Sequence, residues 1–417
     1  MRVILSGGNI YRDGALQRLD IAIEKGRIIL ISPQIDPSEG DVFLDVDGLA
    51  VFPGFIDVHT HLREPGFFYK ESIKTGTAAA AKGGFTTVFS MPNLNPCPDT
   101  LSHLKEQTDI IDRDAIVRVF PYGTITKGEK GEDLSDMEDL APFVCAFSDD
   151  GRGVQKGDVM ERAMQKAAAL GKVIVAHCED NDLLRGGYIH DGAYARSHGH
   201  KGICSESEWG QIARDVLLAE KTGCAYHVCH VSTKESVEVI RQAKKRGVNV
   251  TCETAPHYLT LTEDDLKEDG RFKMNPPLRE KADQESLIEG LKDGTIDMIA
   301  TDHAPHSFEE KNKGLAGSAM GIVGLETAFP VLYTKLVKTK KMPLSTLVDA
   351  LTKNPAKRFG LDSGIEVGAV ADLTVFDLNK EYEIDPSGFL SKGKSTPFAG
   401  WKVFAKNIYT LKDGRIV

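Results

Sequence analysis

Eight short apolar runs punctuate the middle of the chain: Phe52 to Val58, Phe85 to Met91, Ala115 to Phe120, Phe143 to Phe147, Val173 to Ala176, Cys224 to Cys229, Val248 to Cys252 and Ile296 to Ala300. Runs this short and this apolar suit strands buried on both faces, and such strands belong to parallel sheets covered by helices. Helical stretches alternate with them, opening on capping residues and stopping at glycines. Ser205-Glu206-Ser207-Glu208 reads as a capping box before a helix that stops near Gly223, and Ser232-Thr233-Lys234-Glu235 as another before a helix that stops at Gly247.

Eight strand-helix alternations predict an α/β fold, a (β/α)8 TIM-type barrel, with a doubly wound open sheet as the main alternative. The first fifty residues read differently, as short strands broken by turns: Val3-Ile4-Leu5, Leu19 to Ile23, the turn Glu24-Lys25-Gly26-Arg27, then Ile28 to Ile31. The chain's end has the same texture, with Leu373 to Phe376, Trp401 to Leu411 and a second Gly-containing turn at Lys412-Asp413-Gly414-Arg415. Neither end alone has a core, so both are expected to meet in one small β-sandwich domain, residues 1–52 with 366–417, flanking a barrel over 53–365.

A length of 417 residues suits one large domain plus a small one, and no apolar run approaches the ~18–20 residues of a membrane helix, so no membrane partner is expected. Met1-Arg2-Val3-Ile4-Leu5 moves straight into strand-like sequence without a signal-peptide pattern, which points to the cytoplasm. Seven cysteines, an odd number with no C-x-x-C spacing, argue against a disulfide framework or a thiolate zinc site. The formal charge of −10 disfavours nucleic acid as a partner. A small anionic substrate stays compatible with it, given a locally positive pocket.

The chemistry sits at the strand ends. In Asp57-Val58-His59-Thr60-His61, strand alternation points His59 and His61 the same way, about 6.5–7 Å apart at their backbones. An isolated H-x-H is also what two unrelated polar strand ends look like. Here, however, Val173 to Ala176 leads at once to His177, Cys224 to Cys229 to His230, Ile296 to Ala300 to Thr301-Asp302, and Phe143 to Phe147 to Ser148-Asp149-Asp150. Imidazoles and carboxylates converging on one barrel mouth are a donor set for zinc, and a carboxylate after Phe147 could bridge two ions.

His59-Thr60-His61-Leu62-Arg63-Glu64-Pro65-Gly66, with Ala300-Thr301-Asp302-His303-Ala304-Pro305-His306 downstream, resembles the dihydroorotases of the amidohydrolase superfamily. The likeness extends through Met91-Pro92-Asn93, His227 to Thr233, Glu253 to Tyr258, Met274 to Arg279 and Gly321 to Thr327. It implies reversible cyclisation of N-carbamoyl-L-aspartate to L-dihydroorotate in pyrimidine synthesis, with zinc as cofactor, one or two ions per subunit and two favoured. The implied ligands are His59 and His61 on one zinc, His177 and His230 on the other, Asp150 between them and Asp302 near the first. Asp302 is also the implied proton carrier.

Many relatives bridge with a carboxylated lysine; the Phe143 to Phe147 strand has none and Lys127 follows another strand, so Asp150 is preferred, with Asp149 as fallback. The implied substrate contacts are His61, Arg63 and Asn93, the Arg63 guanidinium offering a planar fork to a carboxylate, with Asn275, His306 and the main chain at Met320 and Gly321 holding the ring. Relatives tend to have phenylalanine at Met320. The family also suggests a homodimer, with aspartate carbamoyltransferase as a further partner. The rivals are an allantoinase or hydantoinase, whose substrates mostly lack the carboxylate that Arg63 would read, and a non-catalytic barrel partnering aspartate carbamoyltransferase.

Other residues are expected to play no part. His198 and His200 read as a solvated loop, His227 faces away from His230, His257 packs in the wall, and His303 faces away from Asp302. His103 and His190 have no partner in sequence, Cys178 belongs to the core, and Lys335 to Lys341 is a solvated helix end.

Overall fold

The computed structural model describes residues 2–417; Met1, the first residue of the expected 1–52 segment, lies outside the described residues. Two parallel sheets hold the centre of the chain. Phe55–Thr60, Phe85–Ser90 and Arg118–Pro121 form one. Gly123–Thr124, Phe147–Ser148, Val173–Ala176, Ala225–Val228, Val250–Thr254 and Met298–Ile299 form the other, in that order. Only Tyr122 separates Arg118–Pro121 from Gly123–Thr124, so one run of chain serves both sheets. At the opposite edge Thr60 bridges His303 in parallel, and the His61 N–H donates to the His303 carbonyl at 2.9 Å.

Helices Gly157–Ala169, Glu206–Thr222, Lys234–Lys245 and Lys281–Asp293 pack each against the next outside these strands. Their apolar faces join the strands in one continuous core that includes Phe55, Phe85, Phe147, Ile174, Tyr226 and Val250. Glu206–Thr222 stops at Gly223 (φ 69°), where a residue without Cβ turns left-handed at little cost.

The two expected capping boxes are not formed. Ser205 makes no side-chain cap; Glu208 instead turns away, buried, and its carboxylate accepts the Ser232 and Thr233 N–H groups at 3.0 and 3.1 Å, so it serves the start of the following helix. That helix is capped by Thr233, which accepts from the Ser236 N–H at 3.3 Å, one residue later than the sequence suggests.

Two strand expectations also change. The run Phe52 to Val58 divides at Gly54, where a Cβ would lie 2.1 Å from Thr86 Oγ1: Ala50–Pro53 joins the terminal sheet and Phe55–Thr60 opens the parallel one. Within Phe143 to Phe147 only Phe147–Ser148 pairs as a strand, because Phe143 is 61% exposed on a turn.

The chain ends meet in one mixed eight-stranded sheet. Its order is Arg415–Ile416, Lys406–Lys412, Leu373–Asp377, Ala50–Pro53, Arg2–Arg12, Ala15–Glu24, Arg27–Ser32, with Val42–Asp45 also on Arg2–Arg12. It encloses its own small core, in which Ile10, Ile21 and Ile23 meet Leu373, Val375 and Leu411. Among the described residues no helix is long and apolar enough to cross a membrane, and the seven cysteines are all free.

Candidate metal centre and active site

The strand ends bring His59, His61, Asp150, His177, His230 and Asp302 together, all nearly inaccessible to solvent. Nε2 of His59 lies 3.4 Å from Asp150 Oδ1 and 3.6 Å from Asp302 Oδ1; Nε2 of His61 lies 3.1 Å from Asp302 Oδ1 and 3.5 Å from Asp150 Oδ2. Nδ1 of His177 and Nε2 of His230 are 2.9 Å apart, with Asp150 Oδ1 at 3.9 and 3.8 Å. The donor atoms of His59, His61 and Asp302 fall within 4.8 Å of one another, as do those of His59, Asp150 and His230.

These atoms fit a cation. Nε2 of His59 and Oδ1 of Asp150 are buried without a hydrogen-bond partner, and such orphans are costly unless something positive lies between them. Neutral imidazoles with carboxylates are the nitrogen and oxygen set that zinc accepts. The backbone pays for the convergence: Arg63 (φ 64°), His230 (φ 33°) and Asp302 (φ 48°) are all left-handed without being glycine.

The two adjacent aspartates part company. Asp149 Oδ1 accepts the Ile125 and Thr126 N–H groups at 2.8 and 3.0 Å, and its Oδ2 the Thr126 hydroxyl, so this side chain ties loops together. Burial pushes its carboxyl up to about 6 against those bonds. Asp150 is as buried, yet the imidazoles of His59 and His230 around it hold its carboxyl well below the usual range.

A cavity of about 230 Å³ opens beside the cluster, lined by Arg63, Asn93, Asn275, His306, Met320 and Gly321 together with His61 and Asp302. Arg63 donates through Nε to the Pro305 carbonyl at 3.2 Å, and its Nη nitrogens have no hydrogen-bond partner among the described residues. Asn93 Oδ1 accepts from His61 Nδ1 at 2.9 Å, which turns the lone pair of His61 Nε2 towards the aspartates. Asn275 donates to Glu179 Oε1 at 2.9 Å, leaving its own Oδ1 buried and unpartnered.

His306 Nε2 donates to the Met320 carbonyl at 2.8 Å. Gly321 (φ 133°) brings the main chain against Ala304, whose carbonyl oxygen a Cβ would meet at 2.7 Å, and its N–H already donates to the Lys273 carbonyl at 3.1 Å. The main chain at Met320 and Gly321 thus spends its Gly321 donor and Met320 acceptor within the protein.

Several residues beneath the cluster carry more than the sequence suggests. Glu253 reaches His59 Nδ1 at 2.7 Å and His227 Nε2 at 3.1 Å; burial opposes its ionisation, but His59 and His227 hold its carboxyl at about 2. Asp57 accepts the N–H groups of His59 (3.0 Å) and Thr301 (3.2 Å), fastening the first strand to the last, and Glu179 lies 3.5 Å from His177 Nε2. The available signal at Glu253 was a carboxylate directly after the apolar run Val248 to Cys252, much as Asp302 follows Ile296 to Ala300 after Thr301.

Of the residues set aside, His303 indeed turns from Asp302, to Glu71 at 3.5 Å, and His257 and Cys178 are buried. His198 ends the short helix Ala193–His198 rather than lying in a loop, and His200 is tied to Tyr188 and Glu268 at 2.7 Å each. His103 and His190 do find partners, Asp99 at 2.7 Å and Arg279 at 3.1 Å. Lys335 and Lys338 lie over the Trp401 and Phe404 rings, packed rather than merely solvated.

The chain is similar to known proteins along its whole length. Residues 48–236 match the family model described as dihydro-orotase-like and residues 211–417 the amidohydrolase family. The fold is the amidohydrolase-type α/β fold with parallel sheets: an L-hydantoinase (dihydropyrimidinase) from Arthrobacter aurescens superposes with a TM-score of 0.89 at 28% identity, over 100% of this chain and 95% of that one. A dihydroorotase from Geobacillus sp. (strain WCH70) is 52% identical over 100% of this chain and 99% of its own length. One from Geobacillus thermodenitrificans (strain NG80-2) is 54% identical over 99% and 97%. With such identity along its whole length, around a centre of four histidines and two aspartates, this chain belongs to the dihydroorotase family.

Proposed function

We propose that the chain interconverts N-carbamoyl-L-aspartate and L-dihydroorotate at the cavity beside the strand-end cluster. The observation that carries this reading is Arg63, a buried guanidinium with free Nη nitrogens on the cavity wall, placed to take a ring carboxylate. The Asn93 amide nitrogen supports the same carboxylate, and the unpartnered Asn275 Oδ1 accepts a ring N–H. His306 and the Met320-Gly321 main chain form the facing wall. Hydantoinase or allantoinase activity leaves Arg63 without a purpose.

His59 and His61 would hold one zinc, His177 and His230 a second, with Asp150 between and Asp302 beside the first. Zinc, when bound, supplies Lewis acidity and lowers the pKa of water from 15.7 towards about 7. Asp302 takes the proton of the attacking water and delivers it to the ring nitrogen as the amide opens, and runs the transfer backwards on closure. Asn93 holds His61 in the tautomer whose Nε2 lone pair faces the cluster.

The same reading includes a closed (β/α)8 barrel over 53–365, supported by the Thr60–His303 bridge and the shared Arg118 to Thr124 run. Residues 1–52 and 366–417 then fold over their common core as a small β-sandwich domain. A cytoplasmic homodimer, with aspartate carbamoyltransferase as an assembly partner, completes it. The test is dihydroorotate hydrolysis before and after chelation, beside zinc content by elemental analysis. Activity that survives complete removal of metal, or absence of turnover in the zinc-loaded chain, overturns the reading.

A further inference from the structure

We propose that Glu253, braced by His227, is a positioning residue that sets the tautomer of His59 and so decides which nitrogen faces the metal. The inference rests on the reading of His59 as a zinc ligand. All three side chains are essentially excluded from solvent, so no water competes for their hydrogen bonds.

The protons along this line can be assigned one by one. An ionised carboxylate only accepts. Glu253 Oε1 faces His59 Nδ1 at 2.7 Å and Oε2 faces His227 Nε2 at 3.1 Å, so both of those nitrogens carry hydrogen. A neutral His227 protonated at Nε2 has its lone pair at Nδ1, and there Thr251 Oγ1 lies at 2.8 Å with a hydroxyl to donate. At the other end, His59 protonated at Nδ1 has its lone pair at Nε2, the buried atom with no protein partner that lies among Asp150 and Asp302. The His230 N–H also leans on Glu253 Oε1, at 3.4 Å, so the same carboxylate touches the backbone of a second expected ligand. The strand Val250–Thr254 alternates so that Thr251 and Glu253 share a face, and the pair spans His227 as a clamp.

Glu253→Gln tests the assignment because it keeps the shape and spoils the symmetry. Its amide has one acceptor and one donor. With the oxygen on His227 the NH₂ faces His59 Nδ1 and moves the His59 proton to Nε2; a flipped amide would need His227 to donate from Nδ1 to Thr251 Oγ1, so Thr251→Val is combined with Glu253→Gln to remove that acceptor. Zinc affinity of the full chain, measured by competition with a chromophoric chelator, should fall by about 10–100-fold. In the zinc-loaded protein labelled with ¹⁵N-histidine, the His59 signals, identified by their loss in His59→Asn, should report Nδ1–H in wild type and the loss of that Nδ1–H in the chain carrying Glu253→Gln with Thr251→Val.

The zinc-loaded wild-type spectrum needs no folded Glu253 variant, and a His59 that lacks Nδ1–H there overturns the proposal by itself. Equal zinc affinity in wild type and in the chain carrying Glu253→Gln with Thr251→Val overturns the role of Glu253 alone. A wild-type chain that binds no zinc overturns the metal reading, and this inference with it.

Discussion

The left-handed backbone occurs in two very different places in this molecule. In the terminal sheet it sits at hairpin tips, where Asp13, Lys25 and Asp413 (φ 50–51°) each precede a glycine, Gly14, Gly26 and Gly414 (φ 74–78°). Two consecutive positive φ values make the turn whose twist matches antiparallel strands, and the conformation is local and exposed to water. At the parallel strand ends the same conformation falls on Arg63, His230 and Asp302, buried and followed by Glu64, Val231 and His303 instead of glycine. One region uses the geometry to reverse the chain. The other holds it against its intrinsic cost of roughly 1–2 kcal/mol per residue to aim side chains at one cavity.

If that contrast is right, substitutions at the strand ends should damage function far more than stability, and those in the terminal sheet the reverse. The largest effect is expected from Asp302→Asn, which keeps the shape and an oxygen but removes the base: turnover should fall towards the upper end of the 10²–10⁴-fold range in both directions. Zinc content and dihydroorotate affinity, read on the same preparation, should persist. A variant that retains more than about a tenth of the rate removes Asp302 from proton transfer on that scale.

Arg63→Ala should weaken dihydroorotate binding by about 1.5–3 kcal/mol, the value of a charge-assisted fork, with little change in unfolding. Calorimetric titration with dihydroorotate and with a ring lacking the carboxylate separates the readings: equal loss for both means that Arg63 does not read that group.

An effect on stability alone concerns Lys311, beside the cavity wall, whose Nζ donates to the Lys273 and Ala319 carbonyls at 3.0 and 2.8 Å. Burial, aided by the nearby Lys273, pushes this amine down to about 7. An unfolded lysine keeps its proton to about 10.4, so between these values the unfolded state binds more protons and stability rises with pH. Lys311→Met should flatten that rise in urea unfolding followed from about pH 7 towards 10. An unchanged slope means that Lys311 is not the group responsible.

The smallest effect is at the hairpin. Lys25→Asn places a residue that tolerates φ 51° before Gly26 and should raise stability by a few tenths to about 1 kcal/mol, leaving turnover untouched. A thermal scan that shows destabilisation would mean that the Lys25 side chain, not its backbone, matters there.

The residues of the cluster were legible because each lies at or just past the end of an apolar run, whereas Asp57 and His227, buried within strands, gave no such signal. The hairpin turns were legible for the same local reason, although Asp13-Gly14 is as clear as the two turns that stand out first. Glu208 shows the limit: its spacing from Ser205 suits a capping box, but Ser232 and Thr233 offer it a better set of donors from 24 and 25 residues away.

What the amino-acid order determined by itself is therefore the alternation of strand and helix, the turns, and the donor types at the strand ends, all consequences of burial and backbone preference within a few residues. Tertiary structure alone decided the pairings: Asp149 spent on Thr126 while Asp150 meets the histidines, His61 beside Asp302 across 241 residues, and Glu253 between His59 and His227. A hydrogen bond depends on distance and direction between atoms, and for residues far apart in sequence only the packed sheets supply both.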